Sequence, residues 1–343
     1  MALFETSTQR NQWIFTTDEL AAKRRAALEQ YRSERSSVMT DANADELTDA
    51  EQATMLRYYE RRIQEFAATF RLPPTVVGTA IVYFKRFYLG RTVMDEEPRV
   101  IAATALLLAT KSEEAHIRIG DLANATGTTA SQLVENEHVL IEGINFHLKV
   151  HTPYRAVQGF VNELKHLDKD KAKPLLNGAT GLVEQLMFSD AIFLFPPSQI
   201  ALSCVRGAAS NLDLGDVVDR FLVQLDDGNP EFEKLTTALN AIDDLANEVS
   251  SVGPGSRELH AELKHKRDQC RNLLRDPTSD VAKDRKAAID EERDLKRLQK
   301  HMNAATLPLP AVPPASHPPP PSGLTPEPKR RRSTRTSNTG SKL

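Results

Sequence analysis

VVGTAIVYFKRFYL (Val76–Leu89) and LLLATKSEE (Leu106–Glu114) are the two stretches whose reading decides the fold. The first repeats apolar residues at three and four positions, so Val77, Ala80, Ile81, Phe84 and Tyr88 line one side of a helix. The second closes an uncharged run from Val100 to Ala109, opened by Pro98 at a first-turn position. A helix that is apolar on nearly all sides belongs at the middle of a bundle. Lys111 is the first charge after that run, and its ammonium must reach water or a partner.

The helical period continues to either side. Thr48 and Glu51 form a capping box for a helix from about Asp49 to Phe70, and Pro73 and Pro74 separate it from the next. A short helix follows at Gly120–Ala125, then one from about Thr129 to Asn145 with Leu133, Leu140, Ile141 and Ile144 facing inward. After the extended connector FHLKVHTPYR (Phe146–Arg155) the count restarts. Pro153 opens a helix, Leu175–Met187 give a second stripe and Pro197 precedes a third. Leu214–Leu225 and about Pro230–Ser250 complete this set. The expected fold is all-α, two tandem five-helix bundles with extra helices at both ends.

A second capping box, Thr16 with Glu19, opens an N-terminal helix. Just before it Trp13, Ile14 and Phe15 form the densest apolar cluster outside a helix and include the only Trp, which marks them as its docking anchor. Ser36–Glu46 read as a polar loop. Gly253, Pro254 and Gly255 break the chain before two charged helices, Ser256–Leu274 and Asp280–Met302, whose thin stripes (Leu259, Leu263 and Cys270; Ile289 and Leu295) suit a surface position or loose mutual pairing. From Ala304 the chain is rich in Pro, Ser and Thr and reads as disordered, because nothing there buries enough to offset ordering entropy. The expected divisions are 1–48, 49–150, 151–252, 253–302 and 303–343.

Composition narrows the function. Of 343 residues 40% are hydrophobic, enough for buried cores. Lys and Arg number 44 against 47 acids, but the tail beyond His301 is basic and the body correspondingly acidic, which argues against direct nucleic-acid binding. Two cysteines, Cys204 and Cys270, read as unpaired thiols of a reducing compartment. The first ten residues show no secretory signal, and no run is long enough to cross a bilayer.

No Gly-rich phosphate loop, nucleophile elbow or zinc-helix motif occurs. His147 and His151 have helical metal-pair spacing but fall on the extended connector, where that spacing loses its meaning. No catalytic residue, cofactor or metal is expected. Lys111 and Glu137 stand out as polar residues at the rims of apolar stripes; by spacing alone they read as a surface ion pair worth about 0–1 kcal/mol.

Several segments together resemble the cyclin family. They are QRNQWIFT (Gln9–Thr16), RYYERRIQEF (Arg57–Phe66), the Val76–Leu89 helix, INFHLKVHTPYR (Ile144–Arg155) and SDAIFLFPPSQIAL (Ser189–Leu202). The resemblance is to the cyclin H branch, which serves the CDK-activating kinase of transcription factor TFIIH. It implies a regulatory subunit rather than an enzyme, one that acts in RNA polymerase II phosphorylation and the cell cycle. The implied partners are a cyclin-dependent kinase catalytic subunit, a RING-finger assembly subunit and the TFIIH core. The family's kinase contacts fall on Lys111, Glu137, Ile141, Phe146 and Leu148, and Ser112 stands where an aromatic often follows the Lys. Cell-cycle cyclins pair an Arg and an Asp where this chain has Leu56 and Lys85, so loss of that pair, and of the substrate-recruiting patch beside it, is expected. The other readings are cyclin C of the Mediator kinase module and a TFIIB-like promoter-DNA adaptor; the latter expects an N-terminal zinc ribbon, and no Cys occurs there.

The tail carries two addresses. Lys329, Arg330, Arg331 and Arg332 resemble a nuclear-import signal, and Ser341-Lys342-Leu343 spell a peroxisomal one. The cyclin resemblance favours the nucleus.

Overall fold

The computed structural model describes residues 4–37, 46–164, 167–226, 230–251, 256–276 and 278–305. The expected 36–46 loop lies mostly outside these residues, and the Pro-rich tail with both of its address motifs lies wholly outside them. Among the described residues all regular structure is helical.

A 3-10 turn at Phe4–Thr6 and a short α1 (Thr8–Gln12) precede α2 (Thr17–Ser36). The first repeat holds α3 (Asp49–Thr69), α4 (Pro74–Phe87), α5 (Pro98–Ser112), α6 (Ile119–Thr126) and α7 (Ala130–Gly143). The second holds α8 (Tyr154–Glu163), α9 (Lys169–Leu186), a single turn α10 (Ala191–Leu194), α11 (Pro197–Asn211), α12 (Gly215–Asp226) and α13 (Phe232–Ser251). Then come α14 (Arg257–Gln269) and α15 (Asp280–Ala305). Residues up to Ala288 form one compact unit; the second begins at Ile289 and is the remainder of α15, with Leu295 and Leu298 exposed.

Sequence signals set the helix starts. Reciprocal capping boxes at Thr16/Glu19 and Thr48/Glu51 satisfy first-turn N–H groups of α2 and α3, and a third, Thr129/Gln132, starts α7. Prolines at the first position open α4, α5 and α11. In α5 every residue from Val100 to Thr110 is buried, and α3, α4 and α7 pack around it. In the second repeat α11 takes that place, surrounded by α8, α9, α12 and α13. Both cysteines are free and buried there and in the C-terminal segment, and burial pushes the Cys204 thiol up to about 12.

Helix α9 begins at Lys169, ahead of the Leu175–Met187 stripe, with Pro174 inside it. Two expectations need correction. The pair expected to be lost at Leu56 and Lys85 is replaced by a reversed one. Lys85 is buried, 3.5 Å from Glu60, which sits one turn beyond Leu56 on α3. Its ammonium also donates to the carbonyls of Ser189 (2.6 Å) and Met187 (3.2 Å), so a first-repeat cation holds a second-repeat loop. Burial raises the Glu60 carboxyl above its ordinary range, opposed by the charge of Lys85.

The second correction concerns α14, which is not loosely attached. Its charges are the anchors. Arg267 is buried and pairs with Glu97 at 2.5 Å, and Lys266 pairs with Glu51 at 3.0 Å. Past its end, the Asn272 N–H donates to the Met94 carbonyl (2.9 Å), and the Asn272 side chain bridges Glu34 and Asp95. Arg275 forks onto Glu34, and the Tyr31 hydroxyl donates to the Cys270 carbonyl. Residues 256–276 thus clamp α2, α3 and the α4–α5 loop together. Burial opposes the charge on Glu34, but its bonds from Arg275, Gln30 and Asn272 hold the carboxyl down at about 2.

Candidate functional site

The end of α5, one side of α7 and the connector after it meet on one face. Lys111 emerges from the buried run of α5, and its ammonium lies 2.5 Å from the Glu137 carboxylate on α7. The Lys is half exposed and the Glu mostly covered. Both remain within reach of an incoming partner.

Helix α4 braces this face from beneath. The buried Tyr83 hydroxyl donates to the Leu148 carbonyl (2.5 Å) and lies 3.0 Å from the Ser112 hydroxyl, tying the end of α5 to the connector. Burial raises the Tyr83 pKa, so the phenol stays a neutral donor. One turn earlier, Thr79 donates to the Glu113 carboxylate at 2.9 Å.

The apolar part is set by backbone geometry. A Cβ at Gly143 would lie 2.5 Å from the Phe87 ring, so only glycine lets α7 end this close to α4. Asn145 (φ 55°) and Phe146 (φ 61°) then adopt left-handed conformations in succession, each costing roughly 1–2 kcal/mol in a non-glycine residue. The turn is held by the Phe146 N–H donating to the Ile141 carbonyl (2.9 Å), and it leaves Phe146 65% exposed. Ile141 and Leu148 are half-buried beside it. Val134, 58% exposed, precedes Glu137 and Ile141 at helical spacing and extends the face; sequence reasoning missed it.

Trp13, Ile14 and Phe15 lie behind this face. Trp13 is buried, and its indole N–H donates to Nδ1 of His147 at 3.0 Å. Arg86 stacks over the indole at 4.7 Å and donates to the His147 carbonyl at 3.0 Å. Burial, with Arg86 adding to it, lowers the His147 pKa, which keeps Nδ1 free to accept. Ile14 is half-buried, and the Phe15 N–H donates to the Phe193 carbonyl (2.7 Å) of the second repeat. Gln9 exchanges hydrogen bonds with both backbone groups of His151, and Arg24 forks onto Asp190 at 2.7 and 2.8 Å. His147 therefore accepts from the N-terminal segment and His151 both accepts from it and donates to it, and among the described residues no cluster of side chains suits a metal ion. Tyr83 and Arg86, also unforeseen, are polar groups embedded in the apolar α4, a placement that marks them without revealing their partners.

The cyclin N-terminal domain model matches residues 25–149, and the cyclin C-terminal domain model matches residues 152–247. Cyclin-H1-1 of Arabidopsis thaliana is 32% identical over 71% of this chain and 80% of its own. Cyclin-H of Xenopus laevis is 31% identical over 78% and 87% respectively. The chain belongs to the cyclin-H family. A chain in the CAK complex of Chaetomium thermophilum bound to ATP-gamma-S shares the fold, with a TM-score of 0.71 and 20% identity over 90% of this cyclin and 97% of that chain. The two matched domains correspond to the repeats around α5 and α11, so this cyclin carries both boxes, and its α14 clamp lies beyond them.

Proposed function

We propose that this cyclin is the regulatory subunit of a cyclin-dependent kinase, the CDK-activating kinase of TFIIH, and that it supplies no catalytic group of its own. The supporting observation is the exposed face of Lys111, Glu137, Ile141, Phe146 and Leu148, backed by a close-packed bundle. A kinase of this class is inactive while the Glu of its regulatory helix is turned away from the ATP-binding Lys. A rigid face that binds only the inward helix shifts that equilibrium in proportion to its differential affinity. Lys111 and Glu137 offer one donor and one acceptor to the start of that helix, and the Phe146 ring offers an apolar anchor of the kind that dominates interfaces. The N-terminal segment anchored at Trp13, Ile14 and Phe15 keeps the connector in its binding shape.

In this reading the complex also engages a RING-finger assembly subunit and the TFIIH core, and it works in the nucleus on RNA polymerase II and cell-cycle kinases. Reconstitution tests the reading: full-length chain is mixed with recombinant CDK-activating kinase catalytic subunit and peptide phosphorylation is measured. Stimulation dependent on the chain is expected. No complex and no stimulation, with a kinase preparation that a known cyclin H activates, would overturn it.

A further inference from the structure

Beside the docking face a cavity of about 370 Å³ opens between α2, α4 and the end of α7. That volume falls in the range of small-ligand sites. Arg86 lines it at 1% exposure, with Trp13 beside it; Arg91 and Lys23 complete the cationic side, and Gln30 adds a neutral amide. The bonding of Arg86 is incomplete. Its guanidinium has one hydrogen bond, to the His147 carbonyl, and the indole face, while its buried Nε has no partner. Arg91 also has a buried Nε without a partner. Among the described residues neither forms an ion pair with a carboxylate. Burial accordingly pulls Arg86 down to about 9, opposed only by Tyr83 and by no carboxylate.

The one acid on the wall, Glu142, is exposed and pairs with His138 along α7 at 3.0 Å. Of the three cations around this space, Arg91 also feels the carboxylates of Asp95, Glu96 and Glu34, whereas Arg86 has no carboxylate among its electrostatic neighbours. A guanidinium buried to this degree normally meets a carboxylate or a phosphate, whose planar or tetrahedral oxygens match its fork.

We propose that this cavity is a binding site for a compact oxyanion, a phosphoryl group, held by Arg86 and Arg91 at its base and Lys23 at its mouth. The group adds hydrogen bonding to both arginines and supplies Arg86 with the counter-charge it lacks. It also reaches the back of the Trp13–His147 contact, so its binding is sensed by the segment that supports the docking face. The phosphoryl group comes either as a free anion or on a phosphorylated side chain.

Trp13 is the only Trp and touches Arg86, so its fluorescence is a local reporter. Full-length chain is titrated with inorganic phosphate and, separately, with a short phosphoserine peptide, against sodium chloride at matched ionic strength. A saturable change with phosphate alone identifies a free anion, and one with the peptide at much lower concentration identifies a phosphorylated side chain. Lys23→Gln and Arg91→Gln, both away from the deepest position, should each weaken binding about tenfold. Glu142→Gln should tighten it by removing the nearby negative charge. Arg86→Gln should abolish it if the variant folds, but the proposal does not depend on that protein. An unsaturable change matched by chloride, or binding unaffected by Lys23→Gln and Arg91→Gln, overturns the site.

Discussion

Phe146 is held in solvent by two consecutive left-handed residues, and a fold retains such strain only where the surroundings impose it. Its replacement by Ala removes little packing from the free protein. Phe146→Ala should therefore melt within about 1 kcal/mol of wild type yet weaken kinase binding by about 2 kcal/mol, read by calorimetric titration. Lys111→Ala and Glu137→Ala should likewise leave stability within about 1 kcal/mol, since the Lys of their pair is half exposed, and should strongly reduce kinase activation. Normal activation by both variants would remove them from the interface. Lys111 could be found in the sequence because a charge ends an uncharged run. Tyr83 and Arg86 were hidden because their roles depend on Leu148, Ser112 and His147 arriving from more than twenty residues away. The Glu60–Lys85 pair was misread for a similar reason: a residue-by-residue comparison looked at Leu56, and the carboxylate had moved one helical turn.

At the scale of elements, the period of three and four and the capping signals located almost every helix of the two boxes. They could not reveal what the charged helices touch, since Arg267 and Lys266 resemble solvated residues until Glu97 and Glu51 face them. Arg267→Ala strands the Glu97 carboxylate and should destabilise the chain by about 3 kcal/mol, measured by urea unfolding. A loss below about 1 kcal/mol would mean that α14 contributes no clamp.

The α4–α5 loop under this clamp also sets a pH dependence. Burial raises the Glu96 carboxyl from an ordinary 4.5 to about 7, with Asp95 adding to the rise and Arg275, Arg91 and Arg271 opposing it. The folded chain thus holds a proton that the unfolded chain releases, an advantage complete below about pH 4.5 and lost as pH climbs through 7. Glu96→Gln mimics the protonated form. Its gain should be near zero at about pH 4.5 and approach roughly 3 kcal/mol at about pH 8. Equal effects at both pH values would refute the assignment.

For the whole molecule, the tandem repeat was legible because two sets of amphipathic helices flank one connector, and the centre of the first bundle, α5, follows from its uncharged run. The address in the tail is a question for the cell. A fluorescent tag at the N-terminus leaves Leu343 free; nuclear signal is expected, with substitution of Lys329–Arg332 by Ala spreading it to the cytoplasm. Puncta that disperse when Leu343 is removed would reassign the protein to peroxisomes.

The clamp also has a consequence for synthesis. The first box leaves the ribosome with Glu97 and the Met94 carbonyl still lacking their clamp partners, because Arg267 and Asn272 are encoded far downstream. At about 5–20 residues per second, the roughly 125 residues between the end of α7 and the clamp take on the order of 6–25 s to appear. During that interval the nascent chain carries an assembled but unlatched box, open to chaperones and proteases. A message that stalls or is truncated between the second box and α14 would yield a protein with its docking face formed and its closure absent.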